Sequence, residues 1–217
     1  IACLMPTKIG PCVFLDVGAN VECKADQLVD FAIMGEAFAR AVQGIERPTV
    51  GILNVGEEEV KGNSEVKEAA HVLRNAKLPM EFCGFVEGND ITEHTVDVVV
   101  TDGFTGNVAI KTAEGTAKLI AAYMRGALKR SFMSRLGAVF ASGALNALRH
   151  KLNPRASNGG IFLGLDGIVV KSHGGTDAFG FSAAIDMAID MAAGDIVKKI
   201  AADRAEMNLP GREAAAS

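Results

Sequence analysis

With 217 residues, 49% of them apolar and 22% charged, and a formal net charge of −4, the chain can bury a sizeable core and is too apolar to be disordered. Twenty-four glycines against 6 prolines, with no fixed repeat, exclude a collagen-like chain and suit tight strand-to-helix turns. No apolar run approaches the ~18 residues of a membrane span, and Cys3, Cys12, Cys23 and Cys83 form no C-x-x-C pair, so reduced thiols in a cytosolic compartment are expected rather than disulfides. The chain opens on Ile1 in "IACLMPTKIGPCVFLDVG", which reads as the middle of a domain, so an N-terminal portion is expected to be missing.

In chain order, "CVFLDVG" (Cys12 to Gly18) reads as a strand stopped by Gly18-Ala19-Asn20. Residues Ala25 to Val42 then carry Leu28, Phe31, Ala32 and Phe38 on one helical stripe. "TVGILNVG" (Thr49 to Gly56) predicts the next strand, and a helix follows from about Ser64 to Ala76, with Asn63 or Ser64 as its N-cap. Glu81 to Val86 and Val96 to Gly103 are further strands, the second apolar enough to be buried on both faces. Ile161 to Lys171 reads as two strands joined at Asp166-Gly167, and a last helix is expected from Asp177 to Met207, capped by Thr176 or Asp177. This alternation predicts one α/β domain over 1–217: a mostly parallel sheet between helix layers.

Ligands of such sheets bind beyond the carboxyl ends of the strands. The loops in question are "VGANVECK" (17–24), "VGEEEVKGN" (55–63), "TDGFTGN" (101–107) and "KSHGGTD" (171–177). Each combines glycines that admit backbone N–H groups to a ligand with small amides or hydroxyls, and most add a lysine or histidine, which is the composition of an anion site. Gly and Asn also form ordinary turns, but four such loops in step favour a site. G-x-G-x-x-G, a Walker A loop and a G-x-S-x-G elbow are all absent, and His71, His94, His150 and His173 lack zinc-ligand spacing, so neither a nucleotide cofactor nor a metal is expected.

Between Gly115 and Leu165 the chain has eight Lys and Arg and no acid, which leaves −12 for the remainder. Leu119, Ile120, Tyr123, Met124, Ala127 and Leu128 keep helical spacing there, and after a break near Ser131 to Ser134 the pattern resumes with Leu136, Val139, Phe140, Leu145, Leu148 and Leu152. Two basic amphipathic helices, a projecting hairpin over 117–153, are expected. Lys129, Arg130, Arg135 and Arg149 with Phe132, Leu136, Phe140 and Leu145 would meet an anionic membrane surface, an acidic protein or a second subunit. Nucleic acid is disfavoured, because aromatics are only 6% of the chain and "FMSRLGAVF" is too oily for a phosphate-tracking groove.

"LDVGANVECKADQLVDFAIMG", "GILNVGEEEVKGN", "VDVVVTDGFTGNVAIKTAEG" and "FLGLDGIVVKSHGGTD" together resemble the acyl carrier protein:phosphate acyltransferases, the PlsX-type enzymes of bacterial phospholipid synthesis. The resemblance covers nearly the whole chain in order. It implies a three-layer α/β/α sandwich like the phosphotransacetylases and isocitrate dehydrogenases, a cytoplasmic homodimer that attaches peripherally to the membrane through the hairpin, and no cofactor. The implied reaction passes a long-chain acyl group from acyl-ACP to inorganic phosphate, and the acyl phosphate goes to a downstream glycerol-3-phosphate acyltransferase. Two departures stand out: the family's N-terminal glycine-rich strand and loop is absent, and Asn158 precedes Gly159-Gly160 where members often carry tyrosine.

The implied chemistry needs a phosphate dianion held about 3 Å from a thioester carbonyl and donors for the developing oxyanion, with no protein nucleophile. Lys24, Lys61, Lys111 and Lys171 are the expected cations. The N–H groups of Gly18, Gly56, Gly103 and Gly106 and the side chains of Asn20, Asn54, Asn63, Thr105 and Asn107 are expected donors, with Gly62 and Gly174 lining the site. Lys24, Lys61, Asn107 and His173 are expected nearest the reacting atoms, with His173 protonating the leaving thiolate. Asp16 and Asp102 would orient lysines or amides, and Glu57 would anchor a lysine while Glu58 and Glu59 face solvent. A coenzyme A-dependent phosphate acyltransferase of the same fold and a non-catalytic membrane-attached scaffold are the alternative readings.

Overall fold

The computed structural model describes residues 1–151, 159–172 and 176–206. Its strands are β1 (Ala2–Pro6), β2 (Pro11–Leu15), β3 (Thr49–Leu53), β4 (Glu81–Val86), β5 (Val98–Val100), β6 (Gly160–Phe162) and β7 (Val169–Lys171). They form one sheet in the order β4-β3-β5-β2-β1-β6-β7. β4, β3, β5 and β2 pair in parallel, whereas β1 is antiparallel to β2 and β6, and β7 to β6. Five of the seven strands therefore point one way, and helices flank the sheet: the fold is α/β, as the strand-helix alternation predicts.

Side-chain alternation along the strands builds two cores. Val13 and Leu15 of β2 and Val98 and Val100 of β5 face the larger one, beneath α1 (Ala25–Phe38), α2 (Ser64–Asn75) and α8 (Ile196–Glu206). Cys12, Phe14 and Val99 face the smaller one, with Ile91 from α3 (Asp90–Glu93) and with Ala109 and Ile110 from α4 (Gly103–Lys129). The three valines of β5 are fully buried, as expected for a strand covered on both faces. Gly35 lets α1 lie close on the sheet, since a Cβ there would stand 2.6 Å from Val98 Cγ1 and 2.8 Å from Leu15 Cδ2.

Several boundaries differ from the sequence reading. β1, which the sequence reading does not predict, is the short first arm of a hairpin with β2; it lies between β2 and β6 and ends in Pro6. The helix expected through Val42 is α-helical only to Phe38 and continues as a wider π turn over Ala39–Gln43, closed by left-handed Gly44. The expected C-terminal helix is two, α7 (Ala178–Ala193) and α8, separated by Gly194 and by Asp195 with φ 50°. α7 starts on Asp177, whose carboxylate accepts the Gly180 N–H at 3.1 Å. α8 is fastened to α1 by Arg40, whose Nη1 reaches Glu36 at 2.9 Å and Asp203 at 3.3 Å, and by Arg204 on Asp30 at 3.1 Å.

The basic segment is also longer and more divided than the sequence suggests. α4 runs without interruption from Gly103 through the first expected amphipathic helix to Lys129. Beyond Ser131, which caps the next helix through Ser134 N–H, come α5 (Phe132–Phe140) and α6 (Ser142–Lys151), broken at Ala141. Only Gly103 and Gly106 of α4 are buried, and nothing in α5 is. Phe132 and Phe140 are 78% and 83% exposed, so an apolar surface stands clear of the core. No helix among the described residues is long and apolar enough to cross a membrane.

Candidate functional site

β2, β5 and β3 are parallel, so the loops that follow them leave the sheet at one rim. The first loop is organised by Asp16, which is 1% exposed. Its Oδ1 accepts the N–H groups of Gly18 and Ala19, each at 3.1 Å, and lies 2.8 Å from the Ile1 nitrogen; its Oδ2 accepts Asn20 N–H at 2.7 Å and Asn20 Nδ2 at 2.9 Å. Burial pushes the Asp16 pKa up, but the Ile1 nitrogen, the Ala19 N–H and the Asn20 amide outweigh it and hold the carboxyl below its ordinary value. Asp16 is thus a fixed anion that winds its own loop into a nest.

The third loop locks onto the first. Asp102 caps α4, accepting Thr105 N–H at 2.8 Å and Thr105 Oγ1 at 2.7 Å. Gly103 N–H donates to the Asn20 carbonyl at 2.7 Å. A Cβ at Gly103 would lie 2.6 Å from that carbonyl oxygen, and one at Gly106 would lie 1.9 Å from the Asp16 carbonyl oxygen. Gly18 faces Asn107, with 3.7 Å from its notional Cβ to Asn107 Cβ. Gly18, Asn20, Gly103, Gly106 and Asn107 are therefore brought together, for a reason that differs from the one expected. The N–H groups of Gly18, Gly103 and Gly106 donate to Asp16, Asn20 and Asp102, and the glycines at 103 and 106 serve close packing rather than ligand access.

In the second loop Asn54 Nδ2 donates to the carbonyls of Gly56 at 3.0 Å and Lys61 at 3.2 Å. Gly62, at φ 90°, closes over it, leaving 2.3 Å from a notional Cβ to Asn54 Oδ1. Asn63 caps α2 through Val66 N–H at 2.9 Å. Lys61 bends over Gly56 and pairs with Glu58 at 2.7 Å, which raises the lysine pKa and lowers that of Glu58. The anchoring carboxylate is thus Glu58 and not Glu57, because a lysine three residues on returns to the same side of this turn. Glu59 also has a partner, Arg74 at 3.0 Å.

The remaining expected residues take no part in these contacts. Lys24 is exposed at the N-cap position of α1. Lys111 pairs with Glu114 at 3.0 Å on α4. Lys171 ends β7, which runs opposite to β2 and lies three strands from it, about 14 Å at the usual strand spacing. Three of the four loops therefore follow parallel strands, and the fourth follows β7, the return arm of a hairpin. His173 and Gly174 lie outside the described residues, as does Asn158. Of the hairpin residues, Lys129, Arg130, Phe132, Arg135, Leu136 and Phe140 lie on or beside α4 and α5, with Arg135 Nε donating to the Lys129 carbonyl at 3.3 Å. Leu145 is half-buried on α6, and Arg149 lies on α6 with its side chain outside the description. Among the described residues no cluster of His, Cys, Asp and Glu is arranged to hold a metal.

Compared with known families, residues 1–199 match the model described as "Fatty acid synthesis protein". The chain belongs to the fatty acid synthesis protein family. Among its relatives, the "Phosphate acyltransferase" of Parvibaculum lavamentivorans is 61% identical over 203 residues, covering 94% of this chain and 56% of that protein. Those of Rhizobium meliloti and Xanthobacter autotrophicus are 56% and 54% identical, covering 94% and 98% of this chain and 59% and 58% of their own lengths. This member of the family thus spans somewhat over half the length of the curated relatives it matches. A solved structure, "EutD phosphotransacetylase from Staphylococcus aureus", aligns with TM-score 0.43 and 17% identity over 54% of this chain and 42% of that one.

Proposed function

We propose that the chain is the larger part of a phosphate acyltransferase that moves a long-chain acyl group from acyl-ACP to inorganic phosphate. The reading is carried by one observation. In a chain 54–61% identical to proteins named phosphate acyltransferases, the loops after β2, β3 and β5 leave the sheet at a single rim and present Lys24, Lys61 and Asn107 there. A phosphate oxygen attacks the thioester carbonyl carbon, the C–S bond breaks, and the carrier thiolate takes up the proton that phosphate gives up. Lys24 and Lys61 hold the dianion, Asn107 donates to the oxyanion, and His173 hands the proton to sulfur. A thiol of pKa ~8.5 leaves with little help, so loss of His173 costs less than loss of Lys61.

The exposed faces of α4 and α5 support peripheral attachment to an anionic membrane, in a cytoplasmic homodimer that passes acyl phosphate to a glycerol-3-phosphate acyltransferase. The domain reading of a single α/β unit with an inserted basic hairpin belongs to the same proposal. The test is incubation with palmitoyl-ACP and phosphate, trapping acyl phosphate with hydroxylamine. Hydroxamate that depends on both substrates is the expected result; its formation from palmitoyl-CoA alone would move the assignment to the coenzyme A-dependent class, and vesicle binding without turnover would favour a scaffold.

A further inference from the structure

Lys24 and Lys61 follow strands that are not neighbours, since β5 lies between β2 and β3. What fixes one lysine against the other is therefore a separate question from what fixes each to the sheet. The backbone of Lys61 belongs to the start of α2: its N–H donates to the Glu58 carbonyl at 3.0 Å, its carbonyl accepts from Asn54, and two residues on Asn63 caps the helix. The backbone of Lys24 belongs to the start of α1: its N–H donates to Gln27 Oε1 at 3.0 Å and its carbonyl accepts the first helical bonds. One side chain joins the two helix starts. Glu65, in the first turn of α2, reaches across to accept the N–H of Ala25, the residue next to Lys24, at 2.8 Å. That N–H is one of the donors a helix start leaves without an intrahelical partner.

We propose that Glu65 is a positioning residue, which through its bond to Ala25 N–H sets the separation of Lys24 and Lys61 and thereby the affinity for the phosphate they bind. The inference rests on the phosphate-acyltransferase reading, and a charge argument makes it separable from a bland one. Glu65 is an anion near a site for anions, so if the side chain acted only through its charge, removing it would tighten phosphate binding. If it acts by holding the two loops, removing it weakens binding despite the lost repulsion, because misplacing one cation by about 1 Å is felt strongly. Glutamine separates the two effects, since it keeps an acceptor oxygen and loses the charge.

The experiment is titration of the 217-residue chain with inorganic phosphate at constant ionic strength, for the wild type, Glu65→Ala, Glu65→Gln and Glu68→Ala, with melting temperatures recorded alongside. Glu68 is exposed one turn further along α2 and reports the effect of charge alone. The expected result is binding about tenfold weaker for Glu65→Ala, binding equal to or tighter than wild type for Glu65→Gln and Glu68→Ala, and all four chains folded. A folded Glu65→Ala chain that binds as tightly as wild type overturns the proposal, as does a Glu65→Gln chain as weak as Glu65→Ala. A wild-type chain that takes up no phosphate overturns the functional reading, and the proposal with it; phosphate bound by wild type and lost in Lys61→Ala keeps that reading standing whatever Glu65 does.

Discussion

Glu36 should make the docking of α8 weaken as pH rises. Its side chain is 1% exposed, and only one of its oxygens has a partner: Oε2 has none among the described residues. The same Arg40 nitrogen serves both Glu36 and Asp203, so two carboxylates converge on one cation. Burial pushes the Glu36 pKa up to about 7, against the lowering effect of Arg40 and with a smaller upward contribution from Asp203. The folded chain therefore holds a proton that the unfolded chain, with an ordinary value of 4.5, gives up earlier. The contribution is fully present below about pH 4.5, declines by about 1.4 kcal/mol per pH unit up to about 7 and is level beyond, on the order of 3 kcal/mol in all. Urea unfolding of wild type and Glu36→Gln at about pH 5, 6, 7 and 8 measures it. The wild type should lose stability relative to the glutamine variant through this range, because the neutral amide can donate towards Asp203 at every pH. Free-energy curves for the two chains that stay parallel from pH 5 to 8 would refute the argument.

Other consequences follow from the site and its surroundings. Gly106→Ala forces a Cβ into the Asp16 carbonyl and should cost at least about 2 kcal/mol, lowering the melting temperature by roughly 5 °C or more; Gly126→Ala, on the same helix with nothing within 4 Å, should stabilise by up to about 1 kcal/mol. Lys61→Ala should abolish most phosphate-dependent turnover, whereas Glu59→Ala, which disturbs only the pair with Arg74, should retain it; steady-state rates against phosphate concentration decide, and the opposite pattern would mean the loop works the other way round. Replacing Phe132 and Phe140 together by Ser should reduce co-sedimentation with anionic vesicles about tenfold or more without changing the circular dichroism, since neither side chain supports the core.

The fold class could be read from the chain because its signals are local. Val98-Val99-Val100 is apolar on both faces of a strand, Asn63 and Asp177 are natural caps, and the stripe through Leu28, Phe31 and Ala32 is buried against the sheet. Strand direction is not local. The Asp166-Gly167 turn marks β6 and β7 as a hairpin with antiparallel arms, but nothing in "GIFLG" says that β6 pairs antiparallel with β1, because that is settled by a strand distant in sequence. The same limit separates Glu57 from Glu58: three adjacent acids look alike in sequence, and only the turn decides which one meets Lys61. Asp16 was legible as a strand-end acid, yet its occupation by four donors of its own loop, which turns Gly18 from a ligand donor into part of the nest, depends on the path of the backbone. Glu65 has only a faint signal, an acid in the first turn of a helix, and its reach to a second helix lies beyond any local pattern.

The 27 residues of α4 make a strut about 40 Å long. One end is wedged by Gly103 and Gly106 against the Asp16 loop, and the other carries the oily tip formed with α5. Whatever surface grips that tip is therefore moored at a set reach from the wedge, and a sideways load on it arrives, by leverage, at two glycines that have no slack for a side chain.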